Sequence, residues 1–255
     1  MMLSGTSLEE PEGYWPHAKG AKYGAARTES LQLADEACKL DRWFRSGRYS
    51  GLAPRRYTGR EVAAMRGTIP PVEGVGARQA RKLWQLLKRA RETRGFLNTF
   101  GMLDPVQVTQ AAKYLSTAYV SGWQCSSTAS TSNEPGPDFA DYPMDTVPNK
   151  VDHLVRAQLF HDRKQKVARA QMSEKERSEV PPVDYLNPVI ADGDTGFGGT
   201  TSVMKLTKMM IEAGAAGIHL EDQRSGSKKC GHVGTRLRSP HCSTLTLRPF
   251  SPSLS

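Results

Sequence analysis

The chain has 255 residues, 38% hydrophobic residues and a formal net charge of +9, so it can bury a core and form one large or two ordinary domains. Much of the positive charge lies in 224–255, which contains six Lys or Arg and no Asp or Glu. No aromatic side chain interleaves with these charges to stack on bases, so a nucleic-acid partner is not expected. No apolar run approaches the ~20 residues of a membrane helix, so a membrane partner is not expected either.

The cysteines indicate a reduced intracellular protein. They show neither C-x-x-C pairing nor zinc-site spacing, which fits free thiols; they are Cys38, Cys125, Cys230 and Cys242. The N-terminus lacks the apolar core of a signal peptide, and the C-terminal Ser-Leu-Ser is not the Ser-Lys-Leu peroxisomal address.

The N-terminal part of the chain is predicted to be helical. Residues 1–30 are rich in Gly, Ser and Pro without a clear period, which predicts a poorly ordered N-terminus. A helical region then covers 31–104. Its predicted elements are a helix over 31–44, a helix begun by a capping box of Thr58 and Glu61, a loop over 67–76 and a basic helix over 77–94.

Helices and short apolar segments alternate from residue 105. Asp104 and Pro105 are typical of the cap and first residue of a helix, here through residue 115. A strand over 118–120 follows, with its exit at 121–124. The polar segment 125–149 is long and irregular, which is more typical of a functional loop than of an idle connection. A helix is predicted over 149–165 and an exposed segment over 173–180.

The segment 187–232 contains a predicted βαβ unit. An apolar run at 188–191 indicates a strand buried on both faces, and a second strand is predicted over 216–220. The helix between them is capped by Thr200 or Thr201 and ends at Gly214; its apolar residues at helical spacing are Val203, Leu206, Met209, Met210 and Ala213. This alternation predicts an α/β fold with a parallel sheet, although only about three strands are visible and a closed barrel needs eight.

Carboxylates follow both strands of this unit. Asp192 and Asp194 come at the end of the first strand, and Glu221 follows the second. Oxygen ligands at a strand end suit a hard cation such as Mg²⁺. The alternative is that the aspartates cap the next helix and that Glu221 forms a cap or an ion pair. The Gly-rich run GDTGFGG could also hold a phosphate, but it matches neither a Walker A nor a dinucleotide motif.

Three other stretches contain candidate functional residues. Cys230 lies beside Lys228 and Lys229, whose charges favour a thiolate that can act as acid or base; the alternative is an inert loop cysteine. Ser121, Gly122 and Trp123 could bind a small anion at a strand exit, with Trp123 otherwise a core residue. Asp138 could reach the cation through water, whereas His219 has the pattern of an ordinary strand histidine.

These pieces together resemble the eukaryotic type of the isocitrate lyase family, in the isocitrate lyase/phosphoenolpyruvate mutase superfamily. The matching segments lie within about 40–232 and include YVSGWQCSSTASTSNEPGPDFADYPMDTVPNKV, FHDRKQ, ADGDTGFGG, AAGIHLEDQ and KKCGH. The resemblance implies a magnesium-dependent carbon–carbon lyase on a TIM-type α/β barrel, a homotetramer that splits isocitrate into succinate and glyoxylate. It implies Mg²⁺ as the cofactor.

The resemblance also implies roles for individual residues. The substrate would be held by Tyr119, Ser121, Gly122, Trp123, Gly231 and His232. Asp192 would be the metal ligand, and Asp138, Asp194 and Glu221 would surround the ion, largely through water. Cys230 would be the catalytic acid/base.

The ends of the chain depart from the family pattern. No clear match precedes residue 31, and 233–255 is an aberrant tail with little pattern after KKCGH. We therefore expect 105–232 to form the first part of an incomplete barrel behind the helical region, in a truncated chain that is inactive alone. The alternatives are a 2-methylisocitrate lyase or, in another class, a non-catalytic fragment or basic binding module. A glyoxysomal, peroxisomal or cytoplasmic location is expected, with the mitochondrion as the alternative.

Overall fold

The computed structural model describes residues 22–49, 53–67, 73–128, 130, 132–133, 142–223 and 248–249. The chain divides into two compact units, Met1–Pro71 and Val72–Ser255. Within the described residues, no helix combines the length and apolar character needed to cross a membrane.

The described part of the first unit is helical. It contains α1 (Lys22–Phe44), a 3-10 turn (Gly47–Tyr49) and α2 (Gly59–Ala64). The helix α1 begins at Lys22, so 22–30 are helical rather than poorly ordered; they contain two alanines and no proline. The rest of the predicted poorly ordered N-terminus, 1–21, lies outside the described residues. A small core joins the two helices, with Ala37, Leu40 and Ala63 buried in it.

The capping box of α2 is confirmed. The hydroxyl of Thr58 accepts a hydrogen bond from the N–H of Glu61 (3.2 Å), and the Glu61 carboxylate accepts from the N–H of Thr58 (2.7 Å). The next N–H, of Gly59, donates to Asp41 of α1 at 2.7 Å. A Cβ at Gly59 would clash with the carbonyl of Ala37, so glycine allows α2 to approach α1 closely.

The second unit carries six further helices among its described residues: α3 (Val75–Glu92), α4 (Pro105–Gln110), α5 (Gly122–Thr128), α6 (Thr146–Ala170), α7 (Glu174–Glu179) and α8 (Thr200–Ala213). Asp104 caps α4 as predicted, accepting from the N–H of Gln107, but the helix ends at Gln110 rather than residue 115. The helix α5 was not predicted. At its start, the Ser121 hydroxyl accepts a hydrogen bond from the N–H of Gln124 at 3.4 Å.

The strands form one sheet in the order β1 (Ala118–Val120), β2 (Val189–Asp192), β3 (Gly217–His219) and β4 (Arg248–Pro249). β1, β2 and β3 are parallel, and β4 pairs antiparallel with β3. The predicted βαβ unit and the α/β fold are therefore confirmed. The parallel order puts the carboxyl ends of β1, β2 and β3 at the same edge of the sheet.

Both faces of β2 are buried, as its apolar run predicted. Val189 and Ala191 pack in the main core, together with Leu154 of α6 and Met210 of α8. Ile190 points to the opposite side, where it packs with Leu83 of α3 in a second cluster. Each fully buried aliphatic side chain contributes about 1.5–3 kcal/mol, so the helices on both faces fix the position of the strand.

The ends of α8 differ in how well the sequence predicted them. Neither Thr200 nor Thr201 caps the helix, because the N-cap position is Gly199 and no side chain caps it. The C-terminal prediction is confirmed. Gly214 adopts a left-handed conformation (φ 96°) and its N–H donates to the carbonyls of Met210 and Ile211.

Substitution of Gly214→Ala is expected to lower the free energy of unfolding by about 1–3 kcal/mol, because the left-handed conformation is strained for alanine and overpacking adds to it. The new Cβ would meet Val155 of α6 at 2.9 Å. Urea unfolding followed by circular dichroism measures the change.

The matched control is Gly199→Ser at the other end of α8, where φ is −80° and no atom lies within 4 Å of an added Cβ. Serine also suits an N-cap, so stability should hardly change. Equal stability of Gly214→Ala and wild type would contradict the assigned role of Gly214.

Candidate active site

Predicted site residues converge at the carboxyl edge of the sheet. Ser121 and Gly122 follow β1, Asp192 ends β2, and Glu221 lies two residues beyond β3. Open α/β sheets and barrels place ligands at this edge. Four of the predicted residues, Tyr119, Gly122, Asp192 and Asp194, are in direct hydrogen-bond contact here.

The carboxylate of Asp192 is at the centre of these contacts, and its residue is buried. Oδ2 accepts from the N–H of Gly122 at 3.1 Å and from the hydroxyl of Tyr119 at 3.4 Å. Oδ1 accepts from the N–H of Asp194 at 2.9 Å. Because α8 begins only at Thr200 behind Gly199, the alternative that Asp192 caps this helix is wrong.

Asp194 connects the turn after β2 to the end of β3. Its residue is 1% exposed and its backbone is left-handed, with φ 53°. Its carbonyl accepts from the N–H of Glu221 at 2.7 Å. Its Oδ2 accepts a hydrogen bond from the hydroxyl of Tyr142. The backbone and side chain of Asp194 are therefore both fixed by neighbours from other parts of the chain.

Tyr119 is a neutral donor in this environment. Burial raises the pKa of its hydroxyl well above the usual value, and the negative charge of Asp192, its hydrogen bond to Asp192 and the charges of Glu221 and Asp194 raise it further. The hydroxyl lies 3.3 Å from Nδ1 of His219, and this nitrogen lies 3.7 Å from Oδ1 of Asp192. His219 thus belongs to the cluster, although its strand position alone predicted only an ordinary strand residue.

Two groups in the turn after β1 form hydrogen bonds within the protein. The N–H of Gly122 donates to Asp192, and the Ser121 hydroxyl caps α5. Trp123 is 45% exposed, so the alternative that it is a core residue is wrong. Its side chain is therefore partly open to solvent.

Glu221 has both a backbone and a side-chain contact at this edge. Its N–H donates a hydrogen bond to the carbonyl of Asp194. Its Oε2 accepts a hydrogen bond from Nε2 of Gln223 at 2.6 Å. Asp192, Asp194 and Glu221 supply the oxygen donors with which a cation could be held. Within the described ranges, no group of three or more His, Cys, Asp or Glu side chains is close enough to hold a metal ion by itself.

Four predicted site residues, Asp138, Cys230, Gly231 and His232, lie outside the described residues. Two residues that the sequence did not single out lie in the site. Tyr142 donates to Asp194, and Phe197 contacts the Tyr142 ring with centroids 5.4 Å apart. The signal for Tyr142 was its place in the long polar segment 125–149, which was expected to be functional.

Several known proteins are similar to this chain in sequence. A family model described as the isocitrate lyase family matches residues 36–242. The isocitrate lyase of Saccharomyces cerevisiae is 56% identical over 211 residues, covering 82% of this chain and 38% of the relative. The mitochondrial 2-methylisocitrate lyase of the same yeast is 43% identical over 222 residues, covering 85% of this chain and 37% of the relative.

A solved structure of oxaloacetate acetylhydrolase with the inhibitor 3,3-difluorooxalacetate has a TM-score of 0.45 and 24% identity, covering 66% of this chain and 46% of that one. The chain spans less than two fifths of the length of the two yeast relatives. The family match includes the whole of the segment 40–232, which carries the sequence resemblance. The chain belongs to the isocitrate lyase family.

Proposed function

We propose that this chain carries the metal- and glyoxylate-binding part of an isocitrate lyase, on the first strands of a TIM-type barrel. The observation that carries the proposal is the buried cluster of Asp192, Asp194, Tyr119 and Gly122 at the carboxyl edge of a parallel sheet. The 56% identity to a yeast isocitrate lyase supports this substrate over 2-methylisocitrate, for which the yeast relative is 43% identical.

Magnesium suits the donor chemistry of the site. Mg²⁺ prefers oxygen ligands, keeps several waters and is often bound through only one or two carboxylates. Asp192 would hold the ion, with Asp194 and Glu221 acting largely through water, and Asp138 joining them as the resemblance implies. A bound Mg²⁺ would supply positive charge opposite the negative charge that develops on the substrate oxygens.

The proposed reaction is a retro-aldol cleavage. The substrate hydroxyl would pass its proton to a base, for which Glu221 at the carboxyl edge is the candidate. The carbon–carbon bond then breaks, and the hydroxyl carbon becomes the aldehyde of glyoxylate. The bond electrons pass to the succinate half as an enediolate-like carbanion. Cys230 then protonates that carbon, a role for which neighbouring lysines favour a thiol with a pKa near neutrality.

Most of the described residues would position the substrate rather than move its protons. Burial, as the largest cause, and the charge of Asp192 raise the pKa of the Tyr119 hydroxyl, so it would act as a neutral hydrogen-bonding group that orients Asp192. Trp123 offers an exposed indole against the glyoxylate part, with Ser121 and Gly122 beside it and Gly231 and His232 completing the contacts. The resemblance assigns the acid/base role to Cys230.

Assembly and compartment follow from the family in this proposal. We expect a homotetramer, which light scattering of the purified protein would test. We expect a peroxisomal, glyoxysomal or cytoplasmic location, with the mitochondrion as the alternative. Imaging of a fluorescent fusion would distinguish them.

Removal of the central carboxylate should weaken metal binding. Asp192→Asn is expected to weaken Mn²⁺ or Mg²⁺ binding at least ~tenfold, because a neutral amide is a much poorer ligand for a hard cation. Isothermal titration of the 255-residue chain measures this. The control is Asp152→Asn, which removes a carboxylate paired with Arg156 on the exposed side of α6. Equal loss in both variants would contradict a site at Asp192.

Glyoxylate should bind more tightly than pyruvate, which is the product that cleavage of 2-methylisocitrate at the same bond would give. One extra methyl group changes binding by about 1–3 kcal/mol, so a preference of roughly tenfold is expected. Trp123 fluorescence during titration with each acid, in the presence of Mg²⁺, measures the two dissociation constants.

The control is Trp123→Phe, which should remove the fluorescence change. Tighter binding of pyruvate would favour the 2-methylisocitrate interpretation. No binding of either acid would favour a non-catalytic fragment. This test does not require turnover.

The cysteines should differ sharply in reactivity. Cys125 is fully buried in the main core, and burial, as the largest cause, raises the pKa of its thiol to about 12. Only the thiolate reacts with iodoacetamide, so Cys125 should stay unlabelled at about pH 8. The exposed Cys38 should be labelled, and Cys230 faster than Cys38.

Mass spectrometry of the digested peptides gives the labelled fraction at each cysteine. Urea should expose Cys125 and equalise its labelling with Cys38, which controls for peptide detection. Labelling of Cys230 no faster than Cys38 would contradict the proposed thiolate.

A further inference from the structure

The hydroxyl of Tyr142 is inserted between two parts of the site. It donates to Oδ2 of Asp194, 52 residues further along the chain. Its residue is 5% exposed, and its ring meets Phe197 edge to face, with centroids 5.4 Å apart and planes at 73°. The ring is thus held by packing on the turn that follows β2 while its hydroxyl reaches the proposed metal carboxylates.

The same hydroxyl also faces Gly122. A Cβ added at Gly122 would clash with Oη of Tyr142, and would lie 3.2 Å from Cζ of Tyr142 and 3.3 Å from Oδ2 of Asp192. Gly122 therefore has no room for a side chain while the hydroxyl is present. The phenol occupies the space that a side chain at Gly122 would need.

The backbone of Asp194 has a left-handed conformation that neighbouring groups must stabilise. A left-handed conformation costs a non-glycine residue some free energy, although Asp tolerates it better than most residues. Its N–H, its carbonyl and its carboxylate each have a partner: Asp192, Glu221 and Tyr142. The first two fix the backbone, and the hydrogen bond from Tyr142 orients the carboxylate.

We propose that Tyr142 is a positioning residue that holds the Asp194 carboxylate in place for the metal and sets its spacing from the glyoxylate-binding turn at Gly122. The inference rests on the proposed function, because it assigns to Tyr142 the alignment of the two parts of that site. No step of the reaction passes through Tyr142. Its hydroxyl acts only through the residues it touches.

Tyr142→Phe removes the hydroxyl and keeps the ring packed on Phe197. The loss of a hydrogen bond to a charged group is expected to weaken Mn²⁺ binding by roughly tenfold to a hundredfold. The matched control is Tyr114→Phe, which removes the hydroxyl of a largely exposed tyrosine in the same unit. Titration calorimetry of the 255-residue chain measures both dissociation constants, and Tyr114→Phe should match wild type.

A second pair of variants tests the spacing without any metal. Gly122→Ala should lower stability to urea because its Cβ meets the hydroxyl, and Tyr142→Phe added to it should restore part of the loss. After the double substitution the tightest remaining contacts of the new Cβ would be 3.2 Å and 3.3 Å, which a small shift can relieve. The unfolding midpoints of the two single variants and the double variant form a double-mutant cycle.

The outcomes separate this inference from the proposed function. Partial restoration in the double variant together with weaker metal binding in Tyr142→Phe supports it. Normal metal binding in Tyr142→Phe, or additive midpoints in the cycle, overturns it while the proposed function stands. A wild-type chain that binds no Mn²⁺ overturns the proposed function and the positioning role with it.

Discussion

The carboxylate of Asp192 is the group on which the site depends. It is a buried negative charge, and such a charge costs several kcal/mol unless donors surround it. Its donors come from the strand β1, from the turn after β1 and from the turn after β2: Tyr119, Gly122 and Asp194. Satisfying one carboxylate therefore fixes the relative position of two strand exits, and the remaining site residues are arranged around this fixed point.

This constraint explains the unusual backbone nearby. Asp194 turns into a left-handed conformation directly after β2, so that its N–H faces Asp192 while its carbonyl faces the end of β3. Gly122 lies against both Asp192 and Tyr142, where a larger residue would not fit. Strain and close approach are thus concentrated where three strands end, as expected when a structure fixes polar groups for binding.

Local signals predicted the strands and the carboxylates that end them. The apolar run before Asp192 and the glycine at position 214 each specify structure within a few residues. The helix α5 could not be predicted, because its Ser- and Thr-rich sequence favours helix only weakly and its packing of Cys125 into the core is a tertiary effect. Tyr142 was missed for the same reason, since its partner lies 52 residues away.

The carboxylates give the site a negative charge. Burial is the largest cause of the raised pKa of Tyr119, and the negative charges of Asp192, Glu221 and Asp194 raise it further. Isocitrate, the proposed substrate, is a tricarboxylate, so these residues alone would repel it. A substrate of this charge can approach the edge of the sheet only if positive charge stands between it and the carboxylates. A divalent cation between the carboxylates and the anionic substrate would attract both. This is the physical reason to place the metal and the glyoxylate part side by side.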